Sequence, residues 1–326
     1  MTARFPVSLP EFQRLFPDDA ACEQYLEEIR WPDGFVCPTC KRREEPYRFP
    51  TRSSIVLRCR ACKKNASLTA GTVMQSSHTK LATWFWGAYL MTTQTPGMSA
   101  VQFQRQLGIA TYETAWAILH KLRAGTVRPE RDTIGAEHPV EVDECLIGGE
   151  TKGKGKGVHH KVTVIGAVEV RTRTDDGMKH KRGVYAGRLR LLAIPGRQAE
   201  EVVPFVTANV TKGAHVKTDG WKGYDDLCEV HGYHHDVMVM AGDPERAEKH
   251  LPMIHLVFSN LKTWLDGTHH GRVEPKHLQA YLNEFVFRFN RRFYPMNSFN
   301  SVLGISARTV PPTYAQLYSG DWEHPA

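Results

Sequence analysis

The stretch VEVDECLIGG, residues 140–149, decides how the rest of the chain is read. Val140 and Val142 alternate with Glu141 and Asp143, the period of a half-buried β-strand. The strand then runs through Glu144 and Cys145 into Gly148 and Gly149. Acids at the heart of a strand that ends in paired glycines have two readings. Either Asp143 forms a strand-end salt bridge before a hairpin turn, or it holds a metal ion. Glu144 points to the opposite side of the strand from Asp143 and falls outside a metal shell built on that residue.

The sequence downstream chooses between them. HHKVTVIGAVEV (159–170) and GVYAGRLRLLAIPG (183–196) read as two further strands, and AEEVVPFVTANV (199–210) as an amphipathic helix. AHVKTDGWKGYDDL brings a short strand through Val216 with Asp219 at its end, and YHHDVMVM (233–240) is a fifth strand. PMIHLVFSNLKTWLDG (252–267) is a helix with Ile254, Val257, Phe258, Leu261, Trp264 and Leu265 on its apolar face, and HLQAYLNEFVFRFNRR (277–292) is another. This order predicts an α/β catalytic domain over 140–295, an RNase H-like mixed sheet flanked by helices. That fold carries acids on its first strand, its fourth strand and a later helix, matching Asp143, Asp219 and a residue of 252–267. A turn-forming Asp-Gly is the alternative for Asp219. Carboxylates from adjacent strand ends grip hard Mg2+ ions and leave room for phosphate and water oxygens. Two such ions ~4 Å apart activate the attacking oxygen and stabilise the leaving one.

Upstream, residues 1–30 form a helical segment broken near Pro17, with Phe12, Leu15, Phe16, Cys22, Tyr25, Leu26 and Ile29 at helical spacing. Residues 31–70 hold Cys37-x2-Cys40, an 18-residue spacer and Cys59-x2-Cys62. Two such knuckles supply four thiolates to a tetrahedral zinc ion and leave no open position for catalysis. The zinc would hold up a small ribbon that cannot build its own core. The neighbouring Lys41, Arg42, Arg43, Arg58, Arg60, Lys63 and Lys64 suit DNA phosphates, or form a solvated face. Residues 78–124 read as three helices on the helix-turn-helix plan, with a stop at Gly108 and Thr111 as an N-cap. The last of them would bring Thr111, Tyr112, Thr114 and Lys121 to a major groove; a plain three-helix bundle is the alternative. Residues 125–139 read as a linker and 296–326 as a C-terminal tail of turns and loose chain.

Composition sets the outer bounds. The 326 residues predict two or three domains. The 42 Lys and Arg against 35 Asp and Glu leave a net charge of +7, compatible with a polyanionic partner. No apolar run reaches the length of a membrane span, and the N-terminal stretch lacks a secretory pattern. Seven cysteines, an odd number, point to a reducing, cytoplasmic setting rather than a disulfide scaffold. The basic loop TKGKGKGVHHK, with Lys152, Lys154, Lys156 and Lys161, and the FRFNRR cluster, with Arg288, Arg291 and Arg292, are expected on a nucleic-acid-binding side.

Together, VEVDECLIGG, HHKV, VKTDGWKGY, HLVFSNLKTWLDGTHHG and YLNEFVFRFNRR make the chain resemble a bacterial insertion-sequence transposase of the DDE superfamily, in the group with an N-terminal zinc ribbon. The resemblance spans about residues 15–300. It implies binding to element ends, metal-dependent DNA cleavage, strand transfer by the freed 3′-OH, two Mg2+ ions with Mn2+ as a substitute, and a homo-oligomer that joins two ends. No acid occupies the expected place on 252–267. The resemblance implies an Asp-Asp-Asn-Lys pattern there, with Asn260 as the uncharged third ligand and Lys262 on a phosphate oxygen. His255 is a weaker candidate for the same position, and Glu284, then Glu274, are the alternative acids. A DNA-binding regulator with an inactive domain and a purely hydrolytic nuclease are the rival functions.

Overall fold

A computed structural model describes residues 5–51, 54–128, 130–148, 161–173, 183–239, 249–270 and 273–322. The chain divides into two compact units, residues 1–129 with 291–325, and residues 130–290.

The first unit opens with α1 (Leu9–Leu15), capped by Ser8, and α2 (Asp19–Arg30), capped by Asp18, whose carboxylate accepts the Ala21 N–H at 2.9 Å. A three-stranded antiparallel sheet follows: β1 (Tyr47–Pro50), β2 (Ile55–Arg58) and β3 (Asn65–Ser67), in that spatial order. The Sγ atoms of Cys37, Cys40, Cys59 and Cys62 all lie within 4.8 Å of one another. The two knuckles have the same local form. Lys41 and Lys63 each follow a CxxC pair at φ near +60° and return an N–H to the first cysteine's carbonyl, at 2.9 and 3.1 Å. Arg30 at the end of α2 donates to the carbonyls of Ser67 and Ala70, at 3.1 and 2.9 Å, tying the ribbon to the helices.

Three helices come next: α3 (Leu81–Thr93), α4 (Ala100–Leu107), which ends at Gly108, and α5 (Tyr112–Ala124), capped by Thr111. The stretch from Ala115 to Val127 on α5 and beyond is mostly buried, so only its first turn, with Thr111, Tyr112 and Glu113, is open to solvent. Residues 295–322 are not loose chain. They form α10 (Pro295–Ser306) and α11 (Tyr314–Ser319), and Phe299, Val302 and Leu303 are fully buried. Phe299 completes an aromatic cluster with Phe12, Phe16, Tyr25, Phe85 and Tyr89, with ring centroids from 4.5 to 6.3 Å apart. A Pro/Ser/Asn-rich composition hid a helix whose apolar face, Phe299, Val302, Leu303 and Ile305, is short but correctly spaced.

The second unit is a five-stranded sheet in the order β6-β5-β4-β7-β8. β4 (Val140–Ile147), β5 (Val162–Thr172) and β6 (Val184–Ile194) are antiparallel neighbours, while β7 (His215–Asp219) lies parallel to β4, and β8 (His234–Met238) parallel to β7. This is the expected RNase H-like mixed sheet. On one face α6 (Ala199–Asn209) and the short α7 (Asp226–Glu229) cover Val140, Val142, Ile165, Ala167 and Val216. On the other, α8 (Pro252–His269) and α9 (Pro275–Phe289) cover Val164, Val168, Leu189 and Leu191. Gly166 sits where α8 crosses: a Cβ there would come within 2.9 Å of Ile254 and Leu191 side chains. The edge strand β6 is closed by α9 and the residue after it. Gln279 accepts the Ala193 N–H at 2.9 Å, and Asn290 both accepts from and donates to Leu189, at 2.8 and 3.1 Å. Those side chains replace a missing neighbour strand, one reason the edge does not template further pairing. The stretch 130–139 is not a free linker either: Ile134 is fully buried and pairs with Asn209 and Thr211 through its backbone at 2.8 Å.

The N-terminus of α8 is held from the sheet. Glu141, 1% exposed, accepts the N–H groups of Met253 and Ile254 on one carboxylate oxygen, at 2.7 and 2.8 Å. The first N–H groups of a helix have no partner within it, and a carboxylate there also meets the positive end of the helix dipole.

Two outcomes test this architecture. The chain binds one zinc ion, and Cys37→Ser or Cys59→Ser removes it; metal analysis reads the stoichiometry, and the variants melt at lower temperature because the ribbon loses its folding energy. Glu141→Ala lowers the unfolding free energy of the second unit by on the order of 3 kcal/mol, because two buried N–H groups lose a charged acceptor. Glu141→Gln, which keeps an acceptor oxygen, loses less; urea denaturation followed by tryptophan fluorescence separates the two.

Candidate active site

The three acids of VEVDECLIGG have three different surroundings. Alternation along β4 sends Glu141, Asp143 and Cys145 to the α8 face and Val142 and Glu144 to the α6 face. Glu141 is spent on the α8 N-terminus. Glu144 accepts a short hydrogen bond from the hydroxyl of Tyr224, a fully buried residue that packs with the α6-face core. Burial first, and then the charges of Asp143 and Asp219, push the Glu144 carboxyl up to about 7 against the pull of the Tyr224 hydroxyl. Gly148 ends the strand at φ +140°, a conformation that side-chain-bearing residues avoid.

Asp143 is left facing the open end of the sheet on the α8 side. The parallel register pairs Val140 with Val216 and Glu141 with Lys217, so two residues further on Asp143 comes level with Asp219 on the neighbouring strand. Asp219 is fixed by an Asx turn, its Oδ1 accepting the Trp221 N–H at 3.0 Å. Its carboxyl is raised by burial first and by the charge of Asp143, opposed by the Trp221 N–H, Arg197 and His255. Two half-buried carboxylates therefore press against each other, and a divalent cation between them would relieve that repulsion.

The third position on α8 departs from expectation. His255 Nε2 lies 3.1 Å from Asp143 Oδ2. Asn260 lies five residues later, about 140° round the helix axis, beyond the far border of the buried stripe of Ile254, Val257, Phe258 and Leu261, and it faces solvent. The structure therefore does not bring Asn260 to Asp143. The sequence string FSNLK offered an amide of the right type, and only the packing of α8 shows which edge meets β4. Lys262, seven residues after His255, returns to its edge about 10 Å further along the axis. Its charge reaches Cys145, whose thiol is pushed up to about 12 by burial, with Lys262 opposing. The alternative acids are committed elsewhere. Glu284 is buried and paired with Arg288 at 3.5 Å, and Glu274 is the N-cap residue of α9, 3.2 Å from Lys276. Arg288 is thereby an internal partner rather than a DNA-facing cation.

Arg197, in the loop between β6 and α6, is exposed, and its guanidinium lies 4.3 Å over the Trp221 ring. Its charge acts on both Asp219 and Glu144, so a cation stands at the rim of the acidic pocket. Nothing in its own segment, IPGRQ, marks it; the Asx turn at Asp219 brings Trp221 to it. The pocket is wider than the cysteine site. Among the described residues, the four cysteines are the set of three or more potential ligands whose donor atoms all fall within 4.8 Å.

The other expected nucleic-acid residues fare unevenly. Tyr112 is exposed in the first turn of α5. Lys121 is half-buried, its Nζ 3.4 Å from the Gln75 carbonyl, and burial lowers its pKa. Burial, with Arg128 beside it, brings Arg291 down to about 10. Arg292 lies over the Phe293 ring at 4.5 Å. Lys161 is exposed just before β5, while Lys154 and Lys156 lie outside the described residues.

Comparison with known proteins matches two parts of the chain. Residues 135–290 match the ISXO2-like transposase domain, and residues 17–65 match the transposase zinc-ribbon domain. An uncharacterized protein in transposable element ISH50 of Halobacterium salinarum is 24% identical over 296 residues, covering 84% of this chain and 92% of the relative. No solved structure matches the chain. With both domains matched in this order, and an RNase H-like sheet carrying Asp143 beside Asp219, the chain belongs to the insertion-sequence transposases of the DDE superfamily that carry an N-terminal zinc ribbon.

Proposed function

We propose that this chain binds the ends of an insertion sequence, cuts DNA there and joins the freed 3′-OH to a target. The observation that carries the reading is the side-by-side placement of Asp143, midway along β4, and Asp219, the last residue of the parallel strand β7, with His255 of α8 against Asp143. Mg2+ or Mn2+ held there would supply a Lewis acid for the attacking and leaving oxygens of the phosphodiester. The chain's own residues hold and orient. Asp143 and Asp219 bind the ions, and the Trp221 N–H and the His255 ring fix their rotamers. Lys262 and Arg197, on either side of the acids, take phosphate oxygens of the bound strand. Glu144 stays on Tyr224 and keeps the end of β4 in place.

The basic knuckles of the ribbon and the first turn of α5 bind the element ends through phosphates. The enclosure of the rest of α5 favours this limited contact over a helix laid fully in a major groove. Two ends are joined in one event, so the active species is a homo-oligomer.

Purified protein with Mg2+ or Mn2+ and labelled DNA carrying the gene's own flanking ends tests this. Wild type nicks at the ends and joins them to a second DNA; Asp143→Ala and Asp219→Ala abolish both steps and keep end binding. Asn260→Ala stays close to wild type because its side chain faces away. Protein that binds the ends and never cuts with either metal would make the chain a regulator, and cutting without joining would make it a nuclease.

A further inference from the structure

We propose that the open face of the zinc ribbon is a stacking platform for unpaired DNA bases, with Tyr47 and Phe49 as its two rings. The inference rests on the reading of the ribbon as a part that meets DNA, and adds that it grips a single strand as well as duplex phosphates.

The two faces of the ribbon sheet are built differently. The register sets Arg48 beside Leu57 and Leu57 beside Ala66, and both Leu57 and Ala66 are buried. Arg48 is held on that side by Glu27 of α2, at 2.7 Å. Side chains alternate along a strand, so Tyr47 and Phe49 stand on the other face, where Tyr47 is level with Arg58 and Arg58 with Asn65. Tyr47 is 41% exposed and Phe49 46%. Two aromatic rings, ~7 Å apart along one strand, are thus left in water on the same face.

The second cysteine knuckle supplies charge to this face. The Arg60 guanidinium lies 4.7 Å over the Tyr47 ring, and Lys63 Nζ is 5.5 Å from the ring centre. Arg58 is oriented by donating from Nε to the Lys63 carbonyl at 3.0 Å. All three cations are exposed, and none forms an ion pair among the described residues. Glu45, the closest acid before β1 in sequence apart from its neighbour Glu44, is turned to Arg48 at 3.1 Å.

Rings and cations answer different parts of a nucleotide. A base offers a flat π-face and a phosphate offers a charge. In a duplex the base faces are stacked on one another, so rings on a sheet reach them only where a strand is open or frayed. Cations alone would serve duplex phosphates equally well, and the two rings are what duplex binding leaves unused. An apolar protein surface fits this face poorly, because docking it would bury three unpaired charges.

The test uses the full chain with zinc bound and no added Mg2+ or Mn2+, so that cleavage plays no part. The probes are fluorescein-labelled oligo(dT) of about 12 nucleotides, within the span of known single-strand sites, and a hairpin-closed duplex. Zinc content and thermal melts confirm that each variant is folded. Wild type binds both DNAs. Tyr47→Ala and Phe49→Ala each weaken oligo(dT) binding roughly five- to 150-fold, the range for one stacked base, and leave the duplex within about twofold. Tyr47→Phe and Phe49→Tyr keep a ring and keep the affinity, whereas Arg60→Ala weakens both DNAs and flattens the salt dependence. Oligo(dT) carrying iododeoxyuridine crosslinks under ultraviolet light to Tyr47 or Phe49, mapped by mass spectrometry. Alanine variants that bind oligo(dT) like wild type, or crosslinks that map away from both rings, overturn the proposal and leave the ribbon a binder of phosphates. No binding of either DNA by wild type overturns it together with the reading of the ribbon beneath it. A chain that stacks a single strand and never cuts element ends keeps the platform and loses only the transposition reaction.

Discussion

The second unit turns on a buried carboxylate that never meets substrate. Glu141 lies near the start of β4 and receives the leading N–H groups of α8. Those groups would otherwise be unpaired in an apolar layer, at a cost of about 1–3 kcal/mol each. The contact fixes both the position of the helix start and its rotation about its own axis. Everything that depends on rotation follows: Ile254 and Phe258 over Gly166, Leu261 and Leu265 in the core, and His255 against Asp143.

One strand thus carries three acids with three fates, set by alternation and neighbours rather than by residue type. Glu141 is enclosed and partnered by N–H donors. Glu144, one residue past Asp143 but on the other face, is enclosed and partnered by a phenol hydroxyl. Asp143, between them, is the one that keeps an open side, and the parallel register sets it beside Asp219. A flanking carboxylate on each side of a ligand is a means of holding the strand rigid at the point where the ligand must not move. Like charges are tolerated so close together because two of the three are diverted into hydrogen bonds away from the pocket.

The first unit solves a different problem. A ribbon of three short strands buries too little apolar surface to stand by itself, and four thiolates on one ion take the place of a core. The helices beside it gather around six aromatic rings, and the ring contributed by the C-terminal segment, Phe299, lies against five of them. The end of the chain is therefore part of the first unit's core, although the second unit lies between them in sequence.

Much of this was legible in the sequence. The strand alternation of 140–147, the CxxC spacing, the stop at Gly108, the cap at Thr111 and the order of strands and helices after 140 are local signals, and local sterics and hydrogen bonding fix them. The placement of Asp143 on an alternating strand and of Asp219 at the end of another was legible for the same reason, while the parallel register that sets them level was not. Four further features were decided only by tertiary structure. Which edge of α8 meets β4 depends on Glu141 and the packing over Gly166, so His255 and not Asn260 reaches Asp143. Which face of α5 is covered depends on its packing against α3, α4 and the C-terminal helices, and Lys121 is drawn to the Gln75 carbonyl. Arg197 reaches the acids through a turn made by another loop. The C-terminal segment, read as loose chain from its Pro, Ser and Asn content, folds because an aromatic cluster elsewhere has room for Phe299. Periodicity tells which residues of an element share a side; it carries no information on what that side will face, because that is set by partners from other parts of the chain.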